Sequence, residues 1–229
     1  MRLRGCHRRT HSVPHPFAFS LAKGWETSIP DQGRNRRLFY TGACWSRNPV
    51  LSHYISFVRI PALALRQRLW PLAPLGVLEE DHLRMRVWPN DIDVNLHLNN
   101  ARYLNIMDYA RIHLLARTQL LDYILRSRWK PMVGAVWITY RRSLPLFSAF
   151  TLSSRLVCWD ERWFYIEQTF TCRNGVAAAG WVKGILRDAN GNVAPQTVID
   201  RVAPGQVSPP MPEAIATWNE LTREKLAGG

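Results

Sequence analysis

The chain has 229 residues, of which 47% are hydrophobic, so it is long enough for one sizeable core and too apolar for wholesale disorder. It contains no apolar run long enough for a spanning helix. Its net charge of +13 is lopsided: residues 1–70 hold 12 basic and 2 acidic side chains, whereas residues 71–229 hold 18 and 15, which argues against a nucleic-acid-binding domain.

Residues 1–49 mix Arg, His, Pro, Ser and Gly without helical or strand period and read as a disordered basic arm. No Met lies between Met1 and Met85, so this arm also fits a start placed too far upstream, with the native start near Val50 or Leu51. Residues 50–79 form an amphipathic segment in which Pro61 opens a helix and Pro71 ends it. Arginines alternate there with Leu63, Leu65, Leu69 and Trp70, a pattern suited to packing on the domain or to peripheral contact with a membrane.

Residues 80–190 carry the regular patterns. His82 to Trp88 alternates as a strand, with Leu83, Met85 and Val87 on one face. After a loop rich in Asn and Asp, Ala101 to Leu121 reads as a largely buried helix, apolar at 103, 106, 107, 110, 114, 115 and 121. Strands are expected over Met132 to Arg142, Ala149 to Trp159, Arg162 to Cys172 and Val176 to Arg187. A tight turn at Asp160-Glu161 and a type I′ turn centred on Asn174-Gly175 would join the last three. Residues 191–229 read as a tail, with a stiff Pro-rich linker and a short helix from Glu213 to Leu226. One helix cannot cover both faces of such a sheet, so the sheet must wrap around it or a second subunit must complete the cover.

The cysteines at 6, 44, 158 and 172 lack the short spacings of a zinc site and are too few for a disulfide scaffold. They read as reduced thiols, and a cytoplasmic location is expected.

The densest polar cluster, P-N-D-I-D-V-N-L-H-L-N-N-A-R-Y over residues 89–103, stands where the long helix starts. Polar residues alternate with Ile92, Val94, Leu96 and Leu98, which puts a carboxylate, an amide and an imidazole on one face of an extended segment. A helix N-terminus, whose free N–H groups favour an oxyanion, follows at once.

This string resembles the 4-hydroxybenzoyl-CoA thioesterase-like group of the hotdog fold. D-x-N-x-H-x-N-N-x-x-Y also resembles acyl-ACP thioesterases. R-x-W-P-x-D-x-D, R-R-S-L at 141–144 and W-D-x-x-W-F-Y at 159–165 are similar to thioesterase superfamily member 6-like proteins. The resemblance implies an α+β fold, a single hotdog domain whose antiparallel sheet wraps around one long helix. It implies hydrolysis of an acyl thioester, acyl-CoA or acyl-ACP, without metal or other cofactor, in lipid metabolism. Asp93 is then the catalytic carboxylate, as nucleophile or general base, with Asn95 and His97 completing the set. Each also has a structural reading: a cap for Asp93, an Asx-turn for Asn95 and a bond to a loop carbonyl for His97. Asn99 and Asn100, as helix caps with their backbone N–H groups on the thioester, Tyr103, and Arg141 and Arg142, for a CoA phosphate or an acidic carrier protein, make up the substrate-binding set. Asp91 is expected to be a solvated turn residue, and Tyr103 also suits core packing. Relatives carry Gly where this chain has Leu96 before the His, so the loop is expected to be less permissive in φ. A single hotdog unit implies a homodimer or homotetramer. Two other readings stay open: an enoyl-thioester hydratase, whose D-x-N-P-x-H string is one residue longer, and a non-catalytic acyl-binding protein.

Overall fold

A computed structural model describes residues 73–227. The basic arm, most of the amphipathic segment, Cys6 and Cys44 lie outside the described residues. Strand β1 is Asp81–Arg86; a 3-10 turn, Pro89–Asp91, leads to helices α1, Asn100–Arg117, and α2, Leu120–Arg126. Strands β2 (Lys130–Tyr140), β3 (Ala149–Trp159), β4 (Phe164–Cys172) and β5 (Gly175–Arg187) follow, then the short β6 (Asn192–Val193) and helices α3 (Pro195–Ile199) and α4 (Glu213–Ala227).

The strands form one antiparallel sheet in the order β1-β3-β4-β5-β2, with β6 added to the end of β5. Helix α1 lies on one face. Its Tyr103, Ile106, Met107 and Ala110 share a core with Val87, Leu152, Phe170 and Val182, so three strands and the helix bury a common apolar surface. The alternation read in the sequence is real: β3 buries Phe150, Leu152, Ser154, Leu156 and Cys158 in turn.

Several boundaries differ from expectation, each for a local reason. The helix does not run to Leu121. The Thr118 hydroxyl bonds back to Leu114 O at 3.0 Å, Gln119 takes φ 62, and the redirected α2 places Leu120 and Ile124 against Leu186, Val193 and Val198. The turn between β3 and β4 is four residues, not two, because Asp160 Oδ1 accepts the N–H groups of both Arg162 (2.8 Å) and Trp163 (2.6 Å). Cys158 therefore faces Tyr165, not Trp163, and Cys172 faces Phe150; both thiols are free. In the β4–β5 hairpin Cys172 pairs with Gly175, so Arg173-Asn174 is the turn; Gly175 takes φ 99 next to it, and Ala177 is the extra residue where the register shifts between Thr171 and Phe170. The C-terminal segment is no loose tail: Val198, Ile199 and Ile215 are buried, and α4 packs Ile215 and Trp218 against Tyr165, Trp163 and Trp181 on the sheet.

One polar cluster fastens the helix to the sheet edge. Asp81 of β1 is 1% exposed; its carboxylate meets His113 Nδ1 at 2.5 Å and the Arg117 guanidinium at 3.0 Å. Burial pushes the Asp81 carboxyl up, but the hydrogen bond and charge of His113 and the Arg117 cation outweigh it and hold it below its ordinary value of 3.8. A depressed folded-state pKa means that the unfolded chain binds the proton first, so this stability is present above about pH 4 and is lost as pH falls. Asp81→Asn should cost about 3 kcal/mol at neutral pH, because it leaves Arg117 facing a buried site without its counter-charge. Urea denaturation of the wild type and the variant at pH 7 and pH 3 checks this: the gap should narrow at the lower pH.

Candidate functional site

The polar loop is a compact hairpin-like turn before α1. Ile92 bridges Leu98, the Asp93 N–H donates to His97 O at 3.0 Å, and the Leu96 N–H donates to Asp93 O at 3.1 Å. The Asp93 side chain closes an Asx-turn, its Oδ1 accepting the Asn95 N–H at 2.8 Å. Both backbone groups and one carboxylate oxygen of Asp93 are thus committed to holding the turn. No described residue donates to its second oxygen. Asp93 and His97 face one another across the turn, and both are half-buried.

Leu96 sits in this turn at φ 62, where a glycine would be unstrained. The loop therefore adopts a conformation that a glycine would favour, with a leucine in its place. What holds it is a strap to the segment before β3: the Leu98 N–H donates to Leu144 O (2.8 Å), the Leu146 N–H to Leu96 O (3.2 Å), and His97 bridges Pro145.

Asp91 corrects an expectation. It is 1% exposed, not solvated, and its Oδ2 accepts the Trp88 N–H at 3.2 Å while its own N–H donates to Trp88 O. Its carbonyl also receives the Asn99 N–H at 2.9 Å. Asp91 is the buried peg that sets the entry of the loop, which the alternation of polar and apolar residues could not reveal.

Asn99 is the helix cap, accepting the Ala101 N–H on Oδ1 at 2.9 Å; its carbonyl takes the N–H groups of Arg102 and Tyr103. Among the N–H groups at the helix start, that of Asn100 has no acceptor among the described residues. The helix start thus offers one well-defined donor, backed by the helix dipole, next to the Asp93 turn. The Tyr140 hydroxyl donates to Asn100 O at 3.2 Å, tying the end of β2 to this point. That contact brings Arg141 and Arg142 into the neighbourhood; both are exposed, and neither is paired with a described carboxylate. Tyr140 was not singled out by the sequence, where it is one aromatic in a strand.

Tyr103, expected in the substrate-binding set, is core instead. It is 2% exposed, its ring makes edge contacts with Tyr140 at 4.9 Å and Phe170 at 4.8 Å, and burial raises its hydroxyl to about 12. Among the described residues, no group of three His, Cys, Asp or Glu side chains is placed to hold a metal ion.

A family model described as "Thioesterase-like superfamily" matches residues 87–219. "Protein THEM6" of Xenopus laevis is 31% identical over 177 residues, covering 74% of this chain and 83% of that protein. "Thioesterase lcsJ" of Purpureocillium lilacinum is 24% identical over 170 residues, covering 63% of this chain and 54% of that one. In fold, the hypothetical protein TT1821 from Thermus thermophilus is similar, with a TM-score of 0.50 at 15% identity, covering 55% of this chain and 96% of that chain.

The backbone at position 96 yields a direct test. Leu96→Gly removes the left-handed penalty from a side chain that is 62% exposed, so it should stabilise the protein by about 1 kcal/mol. A rise in the urea midpoint with an unchanged slope would show it, whereas a fall would mean that the leucine side chain holds the loop.

Proposed function

The chain belongs to the thioesterase-like superfamily, and from that membership and the site's geometry we infer how it hydrolyses an acyl thioester to a free acid and a thiol. Its antiparallel sheet packed on one long helix is the hotdog fold. The observation that carries the mechanism is the Asp93 turn, in which one carboxylate oxygen is fixed by the Asn95 N–H and the other is left for chemistry beside the helix start.

In the proposed reaction the free oxygen of Asp93 acts on the thioester carbonyl carbon, directly or by taking a proton from water. Negative charge then develops on the carbonyl oxygen, which the Asn100 N–H and the helix dipole receive. Collapse of the tetrahedral species breaks the C–S bond, and the thiolate leaves with the proton that Asp93 took from water or with one from solvent. Where Asp93 itself attacked, water then cleaves the acyl–Asp93 anhydride, releasing the acid and restoring the carboxylate. His97, strapped through its backbone to Pro145, and Asn95, at the exposed tip of the turn, are assigned to water and carbonyl orientation.

Acyl-CoA is the proposed substrate. The Tyr140–Asn100 contact puts Arg141 and Arg142 close to the helix start, and unpaired guanidinium groups suit phosphate oxygens. A reducing, cytoplasmic location is proposed with it, supported by the free Cys158 and Cys172.

Asp93→Asn separates the chemical role from the structural one. Asparagine keeps an oxygen for the Asn95 N–H, so the turn survives while the charge is lost. Thiol release from acyl-CoA should fall at least a hundredfold in kcat, equivalent to about 3 kcal/mol, with KM little changed. Asp122→Asn, at an exposed position of α2, sets the background. Near-wild-type release by the Asp93 variant would remove the mechanism, and no release by the wild type would favour an acyl-binding role.

A homodimer is also proposed, supported by the edge strand β2. It pairs on one side with β5 and leaves the other edge open among the described residues, with Met132, Val133, Val136 and Trp137 exposed along it. Light scattering on the full chain should give twice the monomer mass, and a Val133→Lys, Val136→Lys double variant should give the monomer.

A further inference from the structure

A cavity of about 450 Å³ lies between the C-terminal half of α1 and the sheet, away from the Asp93 turn. Leu115 and Ile112 of the helix, Ile166 and Ile185 of the sheet, and Val77 and Val198 at the far end are among its walls. We propose that this cavity takes the distal part of a long, unbranched, uncharged acyl chain whose thioester sits at the start of α1. The proposal deepens the thioesterase reading and rests on it.

The two places lie along one helix. Asn100, Leu104, Asp108 and Arg111 recur at spacings of four, four and three, so they form one stripe along α1, and Leu104 on it is exposed. Asp108 and Arg111 border the cavity. Strand β2 lines the same route: Tyr140 touches Asn100 at one end, and Met132 and Val133 border the cavity near the other. From Asn100 to Asp108 the helix rises about 12 Å. An extended saturated chain of about ten carbons spans that distance, given C–C bonds of about 1.5 Å in a zigzag. Shorter acyl groups therefore stop at the mouth, and longer ones enter.

The chemistry of the walls selects the class. The polar side chains of the lining are already occupied. The Arg111 guanidinium donates to Gln168 Oε1 at 2.9 Å and pairs with Asp108, and the Thr118 hydroxyl donates to Leu114 O. Burial lowers Arg111 only to about 10, so at neutral pH its charge persists and Asp108 answers it. Asp108 and Arg111 answer one another's charge, and a polar tail among the aliphatic lining residues would lose its water without gaining a dedicated partner. A hydrocarbon chain meets mostly aliphatic walls, with Met132 and Phe164 among them.

Thiol release by the full chain, measured on butanoyl-, octanoyl- and tetradecanoyl-CoA, tests this. Each methylene buried beyond about ten carbons should raise kcat/KM by up to about fourfold. Leu115→Trp fills the cavity and should cut the tetradecanoyl-to-butanoyl ratio of kcat/KM at least tenfold; Leu115→Ala enlarges it and should shift the optimum to longer chains. Ratios within twofold of wild type in both variants would overturn the cavity assignment while leaving the thioesterase reading intact. No turnover by the wild type on any chain overturns the thioesterase reading. The cavity is then judged by melting temperature: a rise with tetradecanoate but not benzoate, abolished by Leu115→Trp, supports it, and no rise overturns it.

Discussion

Burial of α1 against the sheet is the constraint on which the rest depends. Tyr103, Ile106, Met107 and Ala110 are all but inaccessible, so the helix can neither slide nor rotate without exposing them or driving them into Phe170 and Leu152. That fixes the position of Asn100 and its free N–H. The Asp81–His113–Arg117 cluster pins the other half of the same helix to β1, so both ends of α1 are located by contacts outside the reacting groups. An oxyanion donor acts only if it is already in place, and here the hydrophobic core does the placing.

The loop before α1 shows the complementary strategy. A catalytic carboxylate must be held without being neutralised. In the proposed mechanism Asp93 achieves this by giving one oxygen to a backbone N–H in its own turn, a bond that needs no cation. The backbone strain at Leu96 is balanced by hydrogen bonds to the 144–146 strap and by the buried Asp91 peg. The loop is therefore rigid from its surroundings rather than from permissive residues.

The polar groups inside the helix–sheet layer follow one pattern. Gln168, fully buried, donates to Met107 O and to the Ser154 hydroxyl and accepts from Arg111. Its two N–H groups and its oxygen all face protein groups, so the neighbouring cavity is bounded by a connected polar network. Hydrocarbon selectivity and core stability then draw on the same hydrogen bonds.

Much of this was legible in the sequence, because period-two alternation, Asn-Gly punctuation and a polar cluster before an apolar helix are local signals. Strand Ala149–Trp159 and the helix start beside Asn99 followed from them, whereas the Asp93–Asn95–His97 stretch, expected to be extended, folds into a tight turn. What only the tertiary structure decided were matters of long-range company. Asp91 looks like a surface turn residue until Trp88 and Asn99 close over it, and Tyr103, which suits both substrate binding and core packing, becomes core where Tyr140 and Phe170 pack on it. The break at Gln119 has no Gly or Pro to announce it; it arises because Leu120 and Ile124 gain partners in β5, β6 and α3. The acyl cavity is assembled from residues as far apart as Val77 and Ile199, and a space bounded by five or more segments has no local signature in any of them. Local pattern sets which face of an element is apolar, but which apolar faces meet, and what room they leave, depends on how the whole sheet closes on its helix.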